Sequence, residues 1–234
     1  MASHVSNLLI QNLPPNYREE FYSRLEPISL PAGTTIYEPE VIPEYAHFMT
    51  SGMTSLVAYM ADGAAAEVGI VGSEGVVEGF HVLGPHNVQN VQTRAFVQVP
   101  GTALRMSFAE LRKEFLHAEP LRSLVLEYVQ SQAALLGQLV ACNRLHEVEE
   151  RLARWLLMVH DRIGDDTLAL TQEFLGMMLG TRRSSVTLAA GSLQRAGVIE
   201  YHRGVVHILD RAGLEQAACE CYPVTRKLFT GMYK

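Results

Sequence analysis

With three cysteines in 234 residues and no apolar run approaching 18 residues, the chain lacks the means for two broad classes of protein. A run of about that length is what a membrane-spanning helix needs, so such a segment is excluded. The opening MASHVSNLLIQNLPPN has no positive stretch leading into an apolar one, which argues against secretion and for a cytoplasmic setting. Cys219 and Cys221 stand two apart, with no third and fourth ligand at a zinc-like spacing. Reduced thiols with a structural role are therefore expected, and no metal. Iron–sulfur sensing wants about four clustered cysteines, and the chain before Cys219 holds only Cys142. His47, His81 and His86 qualify as haem ligands by type alone and are read as surface or turn residues. A cupin-like metalloenzyme would show His-x-His with a nearby Glu, whereas His81 and His86 are five apart. A phosphate-cradling loop of the Walker type and a nucleophile–base arrangement are also missing. No catalytic residue and no cofactor is expected, and the chain is not read as an enzyme.

What is present is a globular composition, 48% apolar and 19% charged, with ample material for a core. The net charge of −6 at first argues against nucleic acid. Its distribution reverses that. Residues 1–146 carry 8 basic and 14 acidic side chains, while residues 147–234 carry 11 of each. Arg182, Arg183, Arg195 and Arg203 crowd one stretch of the second part, and local charge decides phosphate contact.

That stretch, Leu170 to Asp210, reads as a short helix, a glycine turn, a second amphipathic helix and a basic hairpin. Thr171 is a suitable N-cap, and Leu175, Met178 and Leu179 supply an apolar face. Gly180 falls where a chain reversing between packed helices needs positive φ. In the second helix Val186, Ala190 and Leu193 point one way, and Ser184, Leu188, Gly191 and Arg195 the other. Gly197 ends it. Strands Val198–Tyr201 and Val205–Ile208 follow, joined by His202-Arg203-Gly204. The pattern predicts a winged helix-turn-helix, a module that sets its second helix in the DNA major groove.

Earlier in the chain, Pro14 to Leu25 reads as a helix. From Ile28 to about Met106, short alternating runs such as Ser55–Met60, Glu67–Val71 and Thr93–Val99 sit between turn residues, which suggests an antiparallel sandwich or jelly roll. Ser107 and Glu110 form a capping-box pattern, and Pro120 starts a long helix. Leu121, Val125, Tyr128, Gln132, Leu135, Leu139 and Cys142 recur every three or four residues. They are taken as a coiled-coil seam between two copies of the chain. A hinge is placed at residues 143–146, a helix at Val148–His160, a further helix at Leu214–Tyr222 and a last one after Pro223. The fold class is α+β in three parts: a β-roll with flanking helices over 1–119, a dimerisation helix and hinge over 120–146, and a winged helix-turn-helix over 147–234.

This order resembles Crp/Fnr-type transcription regulators. The resemblance is carried by Leu179-Gly180, Arg183, Val186-Thr187, Leu193, Gly197, Ile199, Arg203-Gly204 and Asp210, and extends through GIVGSEGVVEGFHVLG and MSFAELRKEF. It implies double-stranded DNA as partner, a homodimer, RNA polymerase as a further candidate partner, and a small-molecule effector at a cyclic-nucleotide-binding-like β-roll. The family's base-reading positions fall on Arg183, Ser184 and Leu188. An arginine suits bidentate contact to guanine, whereas Leu188 can only meet a thymine methyl or pack on the backbone. Thr171, Arg182, Ser185, Thr187, His202 and Arg203 are assigned to the rest of the DNA surface, where phosphate contacts position the protein. Members that bind cyclic nucleotides use a Gly-Glu pair and a following Arg-Ser. Here Glu78-Gly79 is reversed, Val91 or Gln92 stands at the arginine position, and Arg94 comes late. Cyclic-AMP binding is not expected without that guanidinium. Glu78, Gly79, Arg94, Gln132 and Gln138 remain the candidate effector residues. Two rival readings stay open: a ligand-independent DNA binder with a vestigial β-roll, and an interaction scaffold that never contacts DNA.

Overall fold

In a computed structural model, which describes residues 7–84 and 92–233, the chain divides into two compact units. One comprises residues 1–58, 69–133 and 231–234, the other residues 59–68 and 134–230. The first half of the chain runs α1 (Leu8–Gln11), α2 (Pro15–Ser23), β1 (Glu26–Leu30), β2 (Thr35–Tyr37), β3 (Tyr45–Met49), β4 (Met53–Tyr59), β5 (Ala65–Val71) and α3 (Gly79–Leu83). It continues through β6 (Thr93–Val99), β7 (Gly101–Ser107), α4 (Phe108–His117) and α5 (Glu119–Leu145).

The strands form two sheets, ordered β1-β7-β3 and β2-β6-β4-β5, with Ile28 opposite Ala103, Phe48 opposite Leu104 and Leu56 opposite Ala95. Phe48, Met49, Val57, Ile70 and Val97 are fully buried, and Phe21 of α2 meets Phe48 edge-on at 5.7 Å. The corner between β6 and β7 requires Gly101, since a Cβ there would stand 2.2 Å from the Ser51 carbonyl oxygen. Ser107 caps α4 as expected, accepting from Glu110 N. His86 and Val91 lie outside the described residues.

Helix α5 corrects one expectation. Leu121, Val125, Tyr128, Gln132, Leu135, Leu139 and Cys142 are all buried within the single chain, whereas a seam with a second copy calls for side chains that one chain leaves exposed. The reason is visible at Tyr128, whose ring lies against the loop after β5. A Cβ on Gly75 or Gly79 would come within 2.2 or 2.9 Å of that ring. Residues left exposed on the other side of α5, Leu126, Ala133, Gly137 and Val140, are spaced by seven, four and three.

The second half of the chain holds α6 (Val148–Ile163), β8 (Thr167–Ala169), α7 (Gln172–Met178), α8 (Arg183–Arg195), β9 (Ile199–His202), β10 (Val205–Ile208), α9 (Arg211–Ala217) and α10 (Cys221–Gly231). Strand β8, which the sequence pattern does not announce, pairs with β10 to extend the hairpin to three strands, β8-β10-β9. Helix α6 opens with a Glu147–Glu150 capping box, packs on α8 and α9, and closes at Gly164 with φ +65°. The helix expected over Leu214–Tyr222 is broken at residues 218–220. Helix α10 begins at Cys221, with Pro223 in its first turn, where the missing N–H costs nothing. Among the described residues no helix is long and apolar enough to cross a membrane.

Candidate nucleic-acid interface

Three local devices hold α7 and α8 in place. Thr171 Oγ1 accepts from Phe174 N at 3.1 Å, the N-cap bond expected of it and a contribution of about 1 kcal/mol. At the other end of α7, the Arg151 guanidinium reaches across from α6 and donates to the Leu179 carbonyl, one of the acceptors a helix end leaves free. Gly180 then reverses the chain at φ +56°, a conformation that costs glycine little. On α8 the predicted phase holds. Val186, Ala190 and Leu193 are buried, and Arg183, Ser184, Thr187, Leu188 and Arg195 are exposed, Leu188 to 75%.

The hairpin tip lies beside this face. His202 pairs with Val205 across a two-residue turn in which Arg203 (φ +49°) and Gly204 (φ +80°) are both left-handed, the type I′ geometry that suits strand twist. Tyr201 fixes the turn to the start of α7 by donating its hydroxyl to the Leu170 carbonyl at 2.8 Å. Burial raises the Tyr201 phenol, with the Arg183 charge acting the other way, so it stays a neutral donor. The Leu170 amide donates to the Gly204 carbonyl at 2.7 Å. Together these bonds enclose a cleft of about 380 Å³ lined by Thr171, Gln172, Glu173, Arg183, Tyr201, Arg203 and Gly204. Two guanidinium groups border it, the chemistry that accepts a phosphate.

The structure places Thr171 at the N-cap of α7, Arg182 at the N-cap of α8, Arg183, Ser184, Ser185, Thr187 and Leu188 in the first two turns of α8, and His202 and Arg203 on the wing. Thr187 is less free than the rest. Its hydroxyl lies 3.0 Å from the Arg183 carbonyl and 2.9 Å from Gln172 Oε1, so it ties α8 to α7.

The residues proposed for an effector are engaged elsewhere. Glu78 is fully buried and accepts from His47 N at 2.7 Å and sits 2.6 Å from His47 Nδ1. Gly79 meets the Tyr128 ring. Arg94 is ion-paired with Glu38 and donates to Thr35 Oγ1 at 2.6 Å. Gln132 is buried beside Gly69, and Gln138 donates to Cys221 Sγ at 3.0 Å. His47 and His81, considered as haem ligands, are buried and not on the surface: His47 on Glu78, His81 between Tyr37 and Phe108.

An antiparallel β-roll, a long helix and a three-stranded winged helix-turn-helix define the class of the chain: it has the fold of Crp/Fnr-family transcription regulators. Residues 150–217 match the family described as the Crp-like helix-turn-helix domain. Among solved structures, a crp/fnr-family transcriptional regulator of Eubacterium rectale is similar at 16% identity and TM-score 0.70, over 89% of this chain and 96% of that one. The c-di-GMP responsive global regulator CLP of Xanthomonas campestris is similar at 14% identity and TM-score 0.68, over 83% and 99%. FixK2 of Bradyrhizobium japonicum is similar at 15% identity and TM-score 0.68, over 83% and 98%. A comparison with curated proteins found no match.

Proposed function

We propose that the protein is a cytoplasmic, homodimeric transcription regulator that binds a pseudo-palindromic operator through α8 and carries out no catalytic reaction. The observation that carries this reading is the exposed face of α8. It presents Arg183, Ser184 and Leu188 together, flanked by Arg203 at the tip of the wing. Arg183 is assigned to a guanine, Ser184 to a neighbouring base edge and Leu188 to a thymine methyl. Arg182, Ser185, His202 and Arg203 are assigned to phosphates. RNA polymerase is the partner such a regulator would act on. Selection from randomised duplexes followed by binding measurements tests the reading. Arg183→Ala should lose roughly 10- to 100-fold in affinity for the selected site and relax its sequence preference at one position. Binding that is indifferent to both salt and Arg183→Ala would leave a scaffold that does not read DNA.

For the β-roll, one observation favours the ligand-independent reading over an effector held by Glu78, Gly79 and Arg94. Tyr128 fills the space over Gly75 and Gly79, while Glu78 and Arg94 are already paired. Operator affinity should then not change when cyclic nucleotides are added. A shift with any of them would restore the effector reading.

A further inference from the structure

The three cysteines, which no part of the DNA-facing surface uses, are gathered in one place with a histidine. Cys142 lies in the last turn of α5 and His146 just beyond it. Cys219 lies between α9 and α10, and Cys221 is the first residue of α10. Cys142 Sγ stands 3.5 Å from Cys219 Sγ, and Cys221 Sγ 3.6 Å from His146 Nδ1. All four ligand atoms fall within 4.8 Å of one another, and all three cysteines are buried.

Two of these separations, 3.5 and 3.6 Å, are those of ligands sharing one metal ion, and the rest, at up to 4.8 Å, need close by only about 1 Å to reach the same geometry. Bonds of about 2.3 Å to thiolate and 2.0 Å to imidazole, at tetrahedral angles, put neighbouring ligand atoms about 3.5–3.8 Å apart. The surroundings are also those of a metal site. His146 Nε2 is 3.0 Å from Glu220 Oε2, the carboxylate–imidazole contact that fixes the tautomer and turns Nδ1 toward the sulfurs. Gln138 Nε2 donates to Cys221 Sγ at 3.0 Å, a contact that favours anionic sulfur. Three thiolates on a divalent ion leave one negative charge. Arg154, buried and with Nε unpaired, acts electrostatically on Cys142, and Arg151 is buried alongside. Thiols packed only as small apolar groups would not need the oriented imidazole.

We propose that Cys142, His146, Cys219 and Cys221 form a tetrahedral site for a single zinc-class cation, oriented by Glu220 and Gln138. The ion joins the end of α5 to the α9–α10 connection, replacing weak sulfur contacts by four coordinate bonds. A Cys₃His donor set with no open position makes it a structural site.

The test uses the full chain, purified without a histidine tag under reducing conditions. Elemental analysis should find one zinc per chain. The metal-free protein titrated with cobalt(II) should develop the thiolate-to-cobalt charge-transfer band and the intense visible absorption of tetrahedral cobalt. Cys221→Ser should lose the stoichiometric ion. Glu220→Gln, which keeps all four ligands, should bind zinc about 10- to 100-fold more weakly. Near-zero zinc with three titratable thiols and no tetrahedral cobalt spectrum would overturn the proposal. So would iron with acid-labile sulfide, or a Cys142–Cys219 disulfide found by mass mapping. Should Cys221→Ser fail to fold, the wild-type cobalt spectrum and the Glu220→Gln affinity still decide. None of these readouts involves DNA, so the regulator reading stands or falls separately.

Discussion

His81 shows how one side chain records its surroundings. It is buried edge-on to Tyr37 at 4.4 Å and to Phe108 at 6.2 Å, and neither ring nitrogen has a partner. Burial pulls its pKa from the ordinary 6.5 down to about 4. In the unfolded chain the imidazole takes up a proton near its ordinary value, and in the folded chain only well below it. Between those two values the unfolded state binds more protons, so stability falls as pH is lowered through the window and levels off below it. His81→Phe removes the group while keeping an aromatic ring between the same neighbours. Urea unfolding as a function of pH should show the variant losing less stability than the parent from about pH 6.5 to 4, by roughly 2 kcal/mol in all. Parallel profiles for the two proteins would mean that His81 is solvated and titrates normally.

At the scale of elements, the wing makes a trade between stability and binding. Arg203 holds φ +49° in a type I′ turn, where asparagine before glycine is the preferred pair and a left-handed arginine costs about 1 kcal/mol. Arg203→Asn should therefore raise the thermal midpoint while weakening operator binding, and should reduce the slope of affinity against salt by about one counterion. A variant that is both less stable and unchanged in salt slope would show that Arg203 serves the fold. The wing and α8 were legible in the sequence because their signals are local: Thr171 as cap, Gly180 and Gly197 as stops, and a 3.6-residue phase through Val186, Ala190 and Leu193. Helix α5 was legible only in part. Periodicity identifies a stripe that must be covered, but Leu121, Val125 and Tyr128 carry no mark saying whether a second chain or the same chain covers it. The cysteine cluster was not legible at all, because spacing rules look along the chain. Cys142 and His146 stand more than seventy residues from Cys219, and it is the break at residues 218–220 that turns Cys219 and Cys221 toward them.

For the whole molecule, the burial of the expected seam moves the dimer question to the opposite side of α5. Leu126 is 48% exposed and Val140 71%, with Ala133 and Gly137 between them at helical spacing. Small residues in the middle of such a face let two helices approach closely, and the larger ones at either end then interlock. A second copy applied through this face would be isologous, which is the symmetry that the proposed pseudo-palindromic operator would require. Glutamate at either large position puts like charges opposite each other about the two-fold axis. Leu126→Glu and Val140→Glu should accordingly sediment as monomers that keep the parent's circular dichroism. Each should lose roughly 10²- to 10⁴-fold in affinity for a two-half-site operator, the loss expected when two linked contacts become one. Leu135→Glu makes the contrast: Leu135 is buried within the chain, so that change should unfold the protein before it alters association. If Leu126→Glu and Val140→Glu both remain dimeric, α5 is not the dimer helix, and the two half-sites must be joined through another surface.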